Sequence, residues 1–262
     1  MDIAALVGII AAFIIVFVVQ ALEGGNAASI ILFPAMLLVF GGALCAAMAG
    51  GILKDTLGIG AQLKRAFLPK VTPPNELVDS VVKLAERARR EGLLALEDAV
   101  KTVQHPFLKR GLQLAIDGTD PEELHDILHA EVAAKKKADK AGSKIFENMG
   151  GYAPTIGIIG TVMGLVHVLE NLDKPETLGH SIAAAFVATL WGVLSANVLF
   201  LPLAERLKRL SALEAEEMEL AIEGVLAIQA GSNPRLVAQK LRSLLPPDAA
   251  KAAEGDKAKK AA

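Results

Sequence analysis

The chain has 262 residues, 53% of them hydrophobic and 21% charged, with 27 Lys and Arg against 29 Asp and Glu for a formal charge of −2. This balance offers no basic footprint for nucleic acid, and a single cysteine, Cys45, excludes an internal disulfide. The mixture is that of membrane spans joined to soluble helices, so the expected fold class is all-α: a polytopic membrane protein with four transmembrane helices and a helical cytoplasmic domain.

Two apolar runs open the chain, residues 3–22 and 29–53, each long enough to cross a bilayer as a helix. Together they form a predicted transmembrane hairpin within residues 1–53. No basic leader precedes the first run and no A-x-A site follows it, which reads as a retained anchor. Cys45, inside the second run, reads as a small packing residue.

Residues 54–150 are polar and helical in pattern, with apolar positions recurring at three and four and breakers at Pro69, Pro73, Pro74, Pro106 and Pro121. The spacing predicts helices over 75–90 and 93–104, a short one after Pro106, and a long one from Pro121 into the third span. At that last start Asp120 suits the cap, Pro121 the first helical position and Glu123 a carboxylate reaching back. A second hairpin occupies 151–204, with spans over 152–170 and 181–203. The fourth span continues past Pro202 to about Ala230, Asn233-Pro234 opens a last helix, and 205–245 forms a second cytoplasmic segment. The remainder, 246–262, is a low-complexity tail expected to be disordered.

Of the 27 basic residues, the two short links hold only Lys174, and Lys54, Arg206, Lys208 and Arg209 lie beside span ends. Basic residues accumulate on the cytoplasmic side. Both large polar segments and the C-terminus therefore face the cytoplasm, and the links face outward.

Candidate chemistry is sparse. Neither G-x-x-x-x-G-K-[ST] nor G-x-G-x-x-G after a strand occurs, so no catalytic residue and no cofactor is expected. His125-Asp-Ile-Leu-His129 superficially resembles a zinc-protease helix, but it lacks the Glu and a third ligand and reads as a polar helix face. In the third span, Thr161 shares a stripe with Gly157, Gly164 and Val168; in the fourth, Thr189 shares one with Ala185, Gly192 and Ala196. Such small-residue faces pack closely against other helices. Two readings of the hydroxyls stay open: each bonds back to its own helix, or the pair lines an ion path. An ion path through a low dielectric needs an acid, and the four runs hold none at depth; a partner helix carrying one is the inference. In the first polar segment, Glu86 to Glu91 followed by Glu97-Asp98 is either a solvated face, with Glu86 and Arg90 paired, or a charged docking surface.

Two hairpins around a large loop, the segment AERARREGLLALED over 85–98, Pro154-x-x-Gly157-x-x-Gly-Thr161-Val-x-Gly164-Leu, and Ala188-Thr189-Leu-Trp-Gly192 with Pro202 together resemble the MotA family of flagellar-motor stator subunits. The resemblance runs from the first span to about Leu245, whereas the second span and residues 23–30 differ from the family's better-known members. TolQ and ExbB share the pattern of spans three and four but have three spans, so an energiser of that kind, driving an envelope process, is the alternative.

The resemblance implies a homo-pentamer around two copies of MotB, whose single membrane helix carries the ion-accepting Asp and whose outer part grips peptidoglycan. Ion flow at that interface then rotates the ring, and the loop pushes the rotor protein FliG through Arg89 and Glu97, with Arg90 contributing. Pro154 and Pro202 match the family's prolines that couple ion passage to loop movement. Thr161 stands where sodium-driven members tend to have Thr and proton-driven ones Ala, while Thr at position 189 occurs in both. This leans the transported ion toward Na⁺, with H⁺ left open.

Overall fold

The computed structural model describes residues 4–69, 72–173 and 175–245. The expected tail over 246–262 lies outside them, as do Ile3 at the first predicted span boundary and Lys174 in the second short link. Among the described residues every regular element is a helix, and four are long and apolar enough to cross a membrane: Ala4–Leu22, Ala27–Ala49, Pro121–Glu170 and Leu178–Gln229. The chain divides into two compact units, one drawn from residues 4–69 and 138–210, the other from 72–137 and 211–245. The helices Pro121–Glu170 and Leu201–Gln229 contribute residues to both.

In the first unit, Ala4–Leu22 contains no charged residue, and none of its positions is buried within the chain. The second apolar run begins as a 3-10 turn over Ala27–Ile30, capped by Asn26, whose Oδ1 accepts the Ala28 N–H at 2.9 Å. Helix restarts at Phe33, with Pro34 in the first turn where its missing N–H costs nothing. It widens into a π segment over Leu37–Gly41 and closes at Ala49. The run read as one span over 29–53 is therefore interrupted at both ends, because Ile31-Leu32 leave the helical region and Gly50-Gly51 favour its termination. Cys45 faces outward and is exposed, not packed.

The fourth span repeats the device: Pro175–Leu194 passes through a π segment over Ser195–Phe200 into Leu201–Gln229, with Pro202 in the first turn of the latter. The two π segments meet through Phe40 and Phe200, whose rings sit edge to face at 5.8 Å. Trp191 completes the cluster, 5.9 Å from Phe40 and 6.2 Å from Phe13. Its buried indole N–H donates to the Ile30 carbonyl at 2.6 Å, satisfying a backbone group freed by the break in the second span. Below the spans, Arg65 grips Asp139 with two hydrogen bonds of 2.6 and 2.9 Å, and Arg206 Nε donates to the Ala66 carbonyl at 2.6 Å.

The second unit packs helices Pro74–Glu91, Glu97–Thr102, Pro106–Ile116 and Pro234–Ser243 with the cytoplasm-predicted parts of the two long helices. Its core is aliphatic, with Leu77, Val81, Leu96, Leu108, Leu112, Leu128, Ile222 and Leu241 each at most 2% exposed. The helix expected over 93–104 divides into a 3-10 turn, Leu93–Leu96, and the short helix Glu97–Thr102. Gly92, at φ +87°, turns the chain before it, and Pro106 forces His105 into extended backbone after it. At Pro121 the Asp120 carboxylate accepts the Glu122 N–H at 2.9 Å, supplying the cap read from sequence.

Candidate functional site

The third and fourth spans approach until their backbones touch, and glycine permits it. A Cβ on Gly157 would lie 2.8 Å from the Ala188 carbonyl and 3.1 Å from the Gly192 Cα; one on Gly192 would lie 2.7 Å from the Ala153 carbonyl. Gly164 meets Ala185 in the same way, its added Cβ 2.9 Å from the Ala185 Cα. Close approach of this kind is how small residues assemble membrane helices without a hydrophobic driving force.

Within that seam lie Thr161 and Thr189, both half-buried, with hydroxyl oxygens 2.5 Å apart. Thr161 also reaches the Gly157 carbonyl of its own helix at 3.3 Å and the Ala185 carbonyl opposite at 3.1 Å, while Thr189 donates across to Gly157 at 3.2 Å. Thr161 thus has the back-bond to its own helix, and the pair is joined across the helices. Two hydroxyls and two carbonyls form a cluster of oxygens of the hard-donor kind that replaces water around a cation. The carbonyls of Gly157 and Ala185 are the members that sequence reading missed; the Gly157-x-x-x-Thr161 spacing was the signal for the first.

Among the described residues of the four apolar runs, Lys, Arg, His, Asp or Glu side chains stand only near the C-terminal end of the third, where exposed His167 lies 3.9 Å from exposed Glu170. Pro154 lies half-buried inside its helix beside Gly192, and exposed Pro202 borders a cleft of about 250 Å³ with Gly8, Ala12 and Asn197.

In the second unit Arg89, Arg90 and Glu97 are all exposed. Arg89 and Arg90 share a shallow depression with Glu86 and Pro234, and Glu97 opens the helix that follows the Gly92 turn. The i, i+4 pair along this helix is Arg87 with Glu91 at 3.0 Å, not the Glu86 to Arg90 pair expected. Asp98, bonded to Lys101 at 2.8 Å, is held below the usual carboxylate range by that hydrogen bond and charge, and Lys101 is raised correspondingly. His125 and His129 stack with ring centroids 4.3 Å apart, and no group of three or more His, Cys, Asp or Glu is placed to hold a metal among the described residues.

A helical membrane protein with a polar seam between its third and fourth spans is the class these features define, and the profile of the MotA/TolQ/ExbB proton channel family matches residues 99–220. Motility protein A of Bacillus subtilis (strain 168) is 39% identical over 247 residues, covering 94% of this chain and 92% of that protein. The solved structure of C. jejuni MotAB superposes with a TM-score of 0.90 at 30% identity, covering 95% of this chain and 97% of that one. The flagellar MotAB stator complex from Bacillus subtilis gives 0.87 at 38% identity, covering 93% and 96%. The chain belongs to the motility protein A family.

Proposed function

We propose that the chain is a stator subunit of a bacterial flagellar motor, conducting Na⁺ or H⁺ with a MotB-like partner and converting that flow into torque. The observation that carries this reading is the likeness along nearly the whole chain to a solved flagellar MotAB stator complex. Four apolar helices speak against a three-span TolQ or ExbB-like energiser.

An ion crossing a bilayer must replace its hydration shell, since bare charge in hydrocarbon is prohibitively costly. The Thr161 and Thr189 hydroxyls with the Gly157 and Ala185 carbonyls offer oxygens for that purpose. The Thr hydroxyls rotate, so their lone pairs turn toward an arriving cation when their protons turn to the carbonyls. The anionic charge comes from the partner's membrane helix. Pro154 and Pro202 each remove a helix hydrogen bond and mark points where the two spans flex as the ion passes. The ion is cargo; the chain needs no cofactor and performs no catalysis.

The assembly is a homo-pentamer about two partner chains in the cytoplasmic membrane, with both large polar segments inside the cell. Arg89, Arg90 and Glu97, exposed on the second unit, form the surface that meets FliG. Swimming at fixed proton motive force while external Na⁺ is removed identifies the ion: loss of motility establishes Na⁺, and continued swimming establishes H⁺. In cells where this stator is the sole source of rotation, Thr189→Ala abolishes or strongly slows rotation with the complex still assembled, and Thr161→Ala does so where the ion is Na⁺. Normal rotation in both would overturn the ion-path reading.

A further inference from the structure

His105 lies in the second unit, far along the chain from the ion seam, in a position the torque mechanism does not use. It ends the extended link 103–105, which carries the chain from the Glu97–Thr102 helix into Pro106–Ile116. Its side chain is 13% exposed and both ring nitrogens are engaged. Nδ1 accepts the Leu108 N–H at 3.1 Å, serving as the N-cap of the Pro106–Ile116 helix. Nε2 lies 2.9 Å from Oε1 of Glu217, which is itself only 8% exposed.

These two contacts fix which nitrogen carries the proton of the neutral ring. A backbone N–H can only donate, so Nδ1 must present its lone pair, and the ring's single proton sits on Nε2 and points at the carboxylate. A second proton has only Nδ1 to occupy, and there it collides with the Leu108 N–H. The ring cannot be both imidazolium and cap. We propose that His105 is a proton-operated latch on the Pro106–Ile116 helix: uptake of a cytoplasmic proton at Nδ1 turns the ring away from Leu108, opens the first helical turn and loosens the link to Glu97.

The surroundings suit such a device. His105 lines a cleft of about 470 Å³ with Thr72, Arg110, Glu131, Lys135, Glu214 and Glu217, so protons reach it from water. Arg110 pairs with Glu131 at 3.2 Å and Lys135 with Glu214 at 2.5 Å, so Glu217 is the charge that answers to His105. That carboxylate stabilises the imidazolium once the ring has left its cap, giving the open state a partner. Histidine is the side chain whose charge ordinarily changes between about pH 5 and 8. The effect on torque rests on the reading of Glu97 as a rotor contact, but the latch itself does not.

Hydrogen–deuterium exchange of the purified full complex tests it, following peptides that cover 103–110 at pH 7.5 and 5.5. His105→Asn is the reference: Asn is a strong N-cap that does not titrate, and the ratio of wild type to variant at each pH cancels the intrinsic pH dependence of exchange. Loss of one capping bond raises opening about fivefold to thirtyfold, so the ratio should be near one at pH 7.5 and rise by that factor at pH 5.5. Should His105→Asn fail to assemble, Glu217→Gln serves, with opening moved to lower pH because the imidazolium has lost its counter-charge. A ratio unchanged between the two pH values, or opening in Glu217→Gln at the wild-type pH, overturns the latch. Rotation assays on Arg89 and Glu97 variants test the rotor contact separately, so the two ideas fail independently.

Discussion

Thr161 and Thr189 are bonded to each other and each reaches a carbonyl of the facing helix, so neither can be removed without consequence for the other. Truncating one leaves the Gly157 or Ala185 carbonyl a donor short in a region without bulk water, at a cost of about 1–3 kcal/mol. Where the ion is Na⁺, Thr161→Ser keeps the hydroxyl and should retain most rotation, whereas Thr161→Ala should not; equal rotation in the two would show that the oxygen is dispensable. Glu217 gives a second test at this scale. Burial pushes its carboxyl up, but hydrogen bonds from His105 and Thr72 outweigh it and leave the group below its ordinary value of 4.5. A carboxyl lower in the folded than in the unfolded chain contributes stability that is complete above the unfolded value and lost as pH falls through the folded one. Thermal unfolding of the purified complex should therefore lose less stability below about pH 4.5 in Glu217→Gln than in wild type. Parallel losses would contradict the assignment. Thr161 was legible because a Gly three and four residues away marks a packing stripe; Glu217 was not, because one more Glu in the acidic stretch 214–219 gives no sign that it alone turns inward to His105.

Contact between the third and fourth spans depends on glycine at a few positions and tolerates substitution elsewhere. Gly192→Ala places a methyl 2.7 Å from the Ala153 carbonyl and 3.3 Å from the Pro154 Cα, which forces the helices apart at about 1–3 kcal/mol. Gly179→Ala, in the same helix with nothing within 4 Å, should be neutral or stabilising by about 0.5–1 kcal/mol. Thermal unfolding of the two purified variants checks the contrast, and equal midpoints would mean that the close approach carries no energy. At this scale hydropathy located all four apolar helices and the long continuation of the fourth, since apolar length and periodicity survive any packing. It could not show the π segments at Leu37–Gly41 and Ser195–Phe200. A single inserted residue shifts the pattern by one position, and in helices apolar nearly all round no polar face records the shift. The early end of the second run at Ala49 was signalled by Gly50-Gly51, but Ile52 and Leu53 carry the apolar signal past it.

The whole chain alternates between membrane-type and water-type composition, and that alternation made the class readable from one sequence. The charge run left Arg87, Arg89, Arg90 and Glu91 alike in sequence, and the family likeness singled out Arg89 and Arg90; the structure pairs Arg87 with Glu91 and leaves Arg89 and Arg90 on the exposed face beside Pro234. On the proposed function, Arg89→Glu and Glu97→Lys reverse charges that would steer the rotor partner, and like charges brought together oppose docking by several kcal/mol. Each should strongly impair swimming while the complex still assembles and conducts; unimpaired swimming in both would remove these residues from the rotor contact. The missing acid lies at the same scale, since the four spans hold no carboxylate at depth and, on the proposed function, the ion meets one on another chain. Native mass spectrometry of the complex drawn gently from its own membranes tests this most directly. Five copies of this chain with two of a single-span partner bearing a membrane Asp is the predicted result. A closed assembly of this chain alone, or one built with a TolR or ExbD-like partner, would contradict it.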